Sequence, residues 1–282
     1  MQREFPVLTH SVTELSAIQQ TQQTNIVVKS NILIRKGCYK LTPTQQKAVC
    51  YLISTLKDTD TAETVKEYDI LNLCDVLGIP LDTDYKKQFC ETIKAIASRR
   101  WWWIDDKSKD RYLMGFLNKV CITADDRLKI TFNADILPYL QNLKSEFTEY
   151  RIINILNMKS AYSMQIYEIV KSAESLGKWY SKISYLKLLL DCENYDFDAF
   201  KKKVIIPSLA EINSKSDITV DYALYKKGRS YVAIEFYITT KSKTEKLQTE
   251  RETRNALDNV LLRNHKGDYH AQERPTEGEK QE

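Results

Sequence analysis

At 282 residues, and at about 150 residues per domain, the chain is long enough for two globular domains that each bury a core. Hydrophobic residues make up 43% and charged residues 28%, with only 7 Gly and 6 Pro, which excludes extensive disorder, a collagen-like repeat or a disulfide miniprotein for the bulk of the chain. The net charge of +4 is too mild to announce a nucleic-acid partner, and no run approaches the ~20 apolar residues of a membrane span.

The predicted elements begin after a polar, Gln-rich lead from Thr9 to Asn25 that lacks the apolar core of a signal peptide. Leu41-Thr42-Pro43-Thr44-Gln45 is a helix start, with Thr42 as N-cap, Pro43 in the first helical position and Gln45 placed to complete a capping box. Ala48, Val49, Leu52, Ile53 and Leu56 form its apolar face. An extended piece around Val65 to Tyr68 leads to a short helix capped by Asp69 and stopped near Gly78. The next helix is expected from Thr83 to Ser98, followed by strands at Tyr112 to Ile122 and Leu128 to Phe132. The Trp101-Trp102-Trp103 run fits a strand alternating between core and interface better than a platform for stacking bases.

The second half repeats this order. Ser160 caps a helix carrying Tyr162, Ile166, Tyr167 and Val170, and Trp179 to Ile183 is extended before a helix from Ser184 to Leu190. A longer helix, about Asp196 to Asn213 with a kink at Pro207, has Phe197, Phe200, Val204, Ile205, Leu209 and Ile212 inward and Ala199, Lys202, Lys203, Ala210 and Asn213 outward. Ile218, Val220, Tyr222 and Leu224 alternate, as do Val232, Ile234, Phe236 and Ile238, around a tip containing Lys226, Lys227, Gly228 and Arg229. Residues 241–282 hold nine basic and nine acidic residues, and after Lys266 only Tyr269 is large and apolar, so this segment reads as a mobile tail.

Helix, strand, helix, helix, hairpin, occurring twice, predicts an α+β chain of two tandem winged-helix domains, helices packed with small antiparallel hairpins, at 26–143 and 144–240. Such a module presents its third helix to the major groove of double-stranded DNA. Lys202 and Lys203 could reach phosphates or guanine, Asn213 an adenine, and Lys226, Lys227 and Arg229 the backbone. Lys86, Lys87, Arg99 and Arg100 make a weaker parallel set in the first half. Enzymatic chemistry finds little to stand on. His10, His265 and His270 form no metal-ligand pair, Gly177-Lys178 lacks the rest of a phosphate loop, and no cofactor or metal site is indicated. The six scattered cysteines read as reduced, mostly buried thiols, which fits a cytoplasmic protein.

The chain resembles the iteron-binding replication initiators of bacterial plasmids. The matching stretches include Val28-Lys29-Ser30-Asn31, Leu41 to Lys47, Phe147-Thr148-Glu149-Tyr150, Lys159-Ser160-Ala161-Tyr162-Ser163, Phe200 to Val204, Glu211-Ile212-Asn213 and Gly228-Arg229. The resemblance implies that Lys201, Lys202, Lys203 and Arg229 face DNA, with Lys159, Ser160 and Tyr162 near phosphates. It further implies binding to origin direct repeats, opening of the adjacent duplex, recruitment of host replicative helicase, and a homodimer in equilibrium with monomer that binds an operator inverted repeat and represses its own promoter. Two positions depart from the family: Gln165 where arginine is usual, and lysines where arginines are common on the long helix. The alternatives are a rolling-circle nicking initiator using a tyrosine such as Tyr162, and a winged-helix protein-interaction module without a DNA role.

Overall fold

The computed structural model describes residues 25–81, 84–105 and 108–271. The expected polar lead before Asn25, His10, the expected helix start at Thr83 and the segment after Ala271 lie outside the described residues.

β1 (Ile26–Ser30) runs into α1 (Asn31–Lys36), which starts on the Ser30 hydroxyl. α2 (Pro43–Ser54) opens as its sequence dictates: Thr42 Oγ1 accepts from the Gln45 N–H at 3.4 Å, and Gln45 Oε1 accepts from the Thr42 N–H at 3.0 Å. β2 (Lys66–Asp69) leads to α3 (Ile70–Leu77), capped by Asp69 and ended by Gly78 at φ 67°, a left-handed conformation that a side chain would strain. α4 (Tyr85–Ser98) buries Phe89, Ile93 and Ile96.

The strand expected over 112–122 is two strands. β3 (Trp101–Ile104) pairs with β4 (Arg111–Met114), whereas β5 (Leu117–Ile122) pairs with β6 (Arg127–Phe132), which also pairs with β2. The break falls at Gly115, where the Arg100 side chain lies so close that a Cβ would meet its Nη1 at 2.1 Å. The tryptophans alternate as expected: Trp101 and Trp103 are 5% and 3% exposed against Tyr39, Phe116 and Tyr139, and Trp102 is 65% exposed.

The second half comprises β7 (Phe147–Arg151), α5 (Ile153–Leu156), α6 (Ala161–Lys171), β8 (Lys178–Lys182), α7 (Ile183–Leu189), α8 (Phe197–Phe200), α9 (Ile206–Lys215), β9 (Ile218–Lys227) and β10 (Ser230–Thr240). Its sheet has the antiparallel order β8-β10-β9, the counterpart of β2-β6-β5 in the first half. The chain is thus α+β and carries two winged-helix units. The expected division at 143/144 is crossed by pairing of β1 with β7 and by a buried cluster. Lys29 of β1 is fully buried, with Nζ 2.6 Å from Glu168 Oε1 of α6, and the Tyr150 hydroxyl donates to the same carboxylate. Burial pushes the adjacent Cys50 thiol up to about 11. Cys50, Cys74 and Cys192 are buried as expected of inert thiols, but Cys38 and Cys121 are exposed.

Part of the segment expected to be a mobile tail, 241–282, is helical, and residues 272–282 lie outside the described residues. Lys243–Ala271 form a helix, α10, that buries Thr249 and Thr253. Balanced charge and few large apolar residues conceal it in the sequence, because its inward face is built from threonine spaced four apart. Among the described residues no helix is long and apolar enough to cross a membrane.

Removing one partner from a buried ion pair strands the other charge. Lys29→Met is expected to lower unfolding free energy by about 3–5 kcal/mol in urea denaturation, and Lys29→Met with Glu168→Leu to recover most of the loss; equal stability of wild type and Lys29→Met would refute the assignment.

Candidate nucleic-acid interface

Residues 197–215 form one helical run interrupted by a π turn at Lys201–Ile205, where the Ile206 N–H reaches back to the Lys201 carbonyl. Asp196 starts the run by accepting from the Ala199 N–H at 2.7 Å. Pro207 has no N–H to offer Lys203, and its ring would crowd that carbonyl in a regular helix. The wider preceding turn relieves the clash where a kink was expected, and it carries the three lysines. Lys202 and Lys203 are exposed and Lys201 half-buried. Ile206, 48% exposed, shares the outward face with Lys202, Lys203 and Ala210. Sequence reasoning missed it, although Pro207 was the signal: the widened turn changes the phase of the helix beyond it.

The hairpin tip is fixed against the start of this run. The Phe197 and Tyr231 rings stack with centroids 4.4 Å apart and planes at 21°, and Lys226 Nζ lies 4.5 Å from the centre of the Tyr231 ring. Lys203 Nζ similarly lies 5.6 Å from the Tyr195 ring. Lys227 and Arg229 are exposed on either side of Gly228, whose φ of 63° permits the tight turn. A bulge between Tyr231 and Ala233 turns Ala233 and Ile234 inward and leaves Val232 40% exposed, which corrects the simple alternation expected there.

An open cleft of about 580 Å³ separates α7 from the hairpin, lined by Tyr180, Lys182, Lys187, Glu193, Lys227 and Tyr231. Lys187 donates to the Tyr195 carbonyl, whereas Tyr180 and Lys182 are exposed. These two were missed in the sequence, yet β8 alternation carries the signal: with Ser181 buried, Lys178, Tyr180 and Lys182 face outward.

The remaining expected residues are placed differently. Both ends of the Asn213 amide bind the Val220 backbone, Oδ1 accepting at 2.7 Å and Nδ2 donating at 3.0 Å, so the side chain is committed to holding β9 and is not presented to an adenine. Ser160 caps α6 through the Ser163 N–H. The Lys159 and Ser160 N–H groups donate to Glu211 at 2.9 and 3.2 Å, and Lys215 Nζ lies 2.8 Å from the same carboxylate. Burial pushes the Glu211 carboxyl up, but the bonds from Lys215 and the Lys159 N–H outweigh it and hold the group below its usual range. The backbone positions expected near a phosphate are therefore filled by the protein's own anion, leaving the exposed Lys159 side chain. Tyr162 is half-buried, and burial together with Tyr195 pushes its hydroxyl up to about 12.

In the first half, Lys86 pairs with Asp126 at 2.6 Å. Arg100 donates to the carbonyls of Ala97, Arg99 and Leu117, where its charge meets the C-terminal end of α4. Arg99 is half-buried, and only Lys87 of this set is exposed without a hydrogen bond or ion pair among the described residues. The four cations therefore do not form one free surface.

Comparison with known proteins places the chain in a family. Residues 26–171 match the family model "Initiator Replication protein, WH1", and residues 182–238 match "Initiator Rep protein, WH2". The chain belongs to the plasmid replication initiator family. A replication initiation protein of Escherichia coli is 26% identical to this chain over 113 residues, covering 38% of this chain and 35% of that protein. An uncharacterized 27.6 kDa protein of Escherichia coli is 24% identical over 109 residues, covering 38% of this chain and 46% of that protein. The chain thus spans less than half the length of either relative. Two crystal structures of RctB domains 2 and 3 are 11% and 12% identical with TM-scores of 0.40 and 0.42, covering 70% and 74% of this chain and 80% and 86% of theirs.

Because Asn213 anchors β9, Asn213→Ala is expected to reduce folding stability by about 1–3 kcal/mol in chemical denaturation while leaving base preference at every position of a bound duplex unchanged. A changed base preference with unchanged stability would return Asn213 to the DNA-reading set.

Proposed function

We propose that the protein is a sequence-specific, non-enzymatic plasmid replication initiator that binds origin direct repeats as a monomer. The observation carrying this reading is the Phe197–Tyr231 stack, which holds the start of the helical run, ahead of Lys202 and Lys203, against the hairpin that carries Lys226, Lys227 and Arg229. The helix face offers lysines for phosphate or guanine acceptors and Ile206 for a thymine methyl. Tyr180 and Lys182 extend the surface so that a phosphodiester strand can lie between α7 and the hairpin. Binding and bending energy would then promote opening of the adjacent duplex, and the bound initiator would recruit host replicative helicase.

We assign homodimerisation, and with it repression at an operator inverted repeat, to the outer face of β3 and β4. Trp102 and Leu113 are cross-strand partners, both exposed, beside the exposed Ile104. A second copy of the chain would cover this apolar face.

Lys202→Ala with Lys203→Ala is expected to weaken binding to repeat-bearing origin DNA by about 1–3 kcal/mol for each lysine that touches a base, read by fluorescence anisotropy against a scrambled duplex. Pure phosphate contacts would lower both affinities together and flatten the salt dependence; unchanged affinity would favour a protein-interaction module. Trp102→Glu should shift a wild-type monomer–dimer equilibrium toward monomer in sedimentation equilibrium. An unchanged dimer dissociation constant would remove β3 and β4 from the interface.

A further inference from the structure

α10 lies beyond both family matches, the second of which ends at residue 238, yet it packs on both halves of the chain. It contacts α3 and α5, within the first match, and α9, within the second. Thr249, Thr253 and Leu257 recur every four residues along its inward face, and the two short threonines are buried. Glu250 forms an ion pair with Arg151 at the end of β7. Just before the helix, Lys241 Nζ donates to the Asn213 carbonyl at 2.6 Å and to Thr249 Oγ1 at 3.3 Å, tying α10 to the end of the basic helical run.

The chain on either side of residue 144 is also joined by the β1–β7 ribbon, the Lys29–Glu168 cluster, packing of α6 against α1 and α2, and hydrogen bonds from Arg35 to Ser172 and from Tyr185 to the Arg35 carbonyl. α10 adds to these a separate attachment, through α3, at a distance from the ribbon. For a protein that engages one DNA site with two modules, the gain from the second module depends on whether geometry lets both bind at once.

We propose that α10 is a brace that fixes the relative orientation of the two winged-helix units and thereby sets the spacing of the DNA elements they engage together. The consequence for DNA rests on the function proposed above; the brace itself can be tested without DNA.

Full-length protein carrying Glu250→Arg and Thr253→Glu would be compared with wild type by hydrogen–deuterium exchange. Loosening α10 should accelerate exchange of the α3 amides by about tenfold or more while leaving β10 amides unchanged; unchanged α3 exchange overturns the brace. Should the double variant not fold, Glu250→Arg alone should show the acceleration and added Arg151→Glu should reverse it.

The same proteins would be titrated by anisotropy with a repeat duplex and with one carrying five extra base pairs at its centre, about half a helical turn. Wild type should lose roughly 100-fold in affinity on insertion, and the loosened variant, weaker on the uninterrupted repeat, less than about tenfold. Equal insertion penalties overturn the spacing role. Wild-type binding that does not distinguish repeat from scrambled DNA overturns the functional reading and the spacing role together, while the exchange result still decides the brace.

Discussion

The arrangement of the two halves depends on finding a partner for one buried ammonium. Lys29 sits in the first strand with no access to water, and the distant Glu168 carboxylate, 139 positions along the chain, satisfies it. A pair this deeply buried is weak as a source of net stability but intolerant of alternatives, because any arrangement separating the two leaves a naked charge in the core. It therefore works with the β1–β7 pairing to specify how α6 meets the first unit. α6 in turn packs against α9, and its N-terminus binds Glu211 of that helix. The placement of the cationic helical run is thus linked through short contacts to β1.

Within the second unit the interface is organised by aromatic contact as well as charge. Five surface cations scattered over a domain would be ordinary solvated side chains. Here Phe197 and Tyr231 hold the helix start against the hairpin, and Tyr195 and Tyr231 sit beneath Lys203 and Lys226. Holding cations over ring faces limits the conformations to be given up when a duplex arrives. The net charge of +4 is consequently a poor guide to this surface, since a sum over the chain does not record where cations are gathered.

Much of this fold was legible in the sequence because local chemistry and tertiary demand agree. Thr42, Pro43 and Gln45 specify the start of α2, Asp69 and Gly78 bound α3, and the alternating tryptophans give the correct faces of β3. Reading became incomplete where a backbone irregularity shifted the phase: the π turn before Pro207 exposes Ile206, and the bulge at Val232 moves Ala233 inward. It also faltered where residue type underdetermines role. Asn213 and Arg100 carry suitable groups for DNA, but their bonding capacity is spent on backbone groups that only the folded chain brings near them. The helix α10 was hidden because packing across two units, rather than an apolar stripe, defines its inward face.

The most direct test of the cationic interface is quantitative lysine acetylation of the wild-type protein, free and saturated with repeat-bearing origin duplex, read by mass spectrometry. Lys202, Lys203, Lys226 and Lys227 should lose reactivity on the duplex, whereas Lys94, exposed on α4, should retain it. Undiminished reactivity at all four on a saturated complex would contradict the account, because DNA would then be bound by a different face.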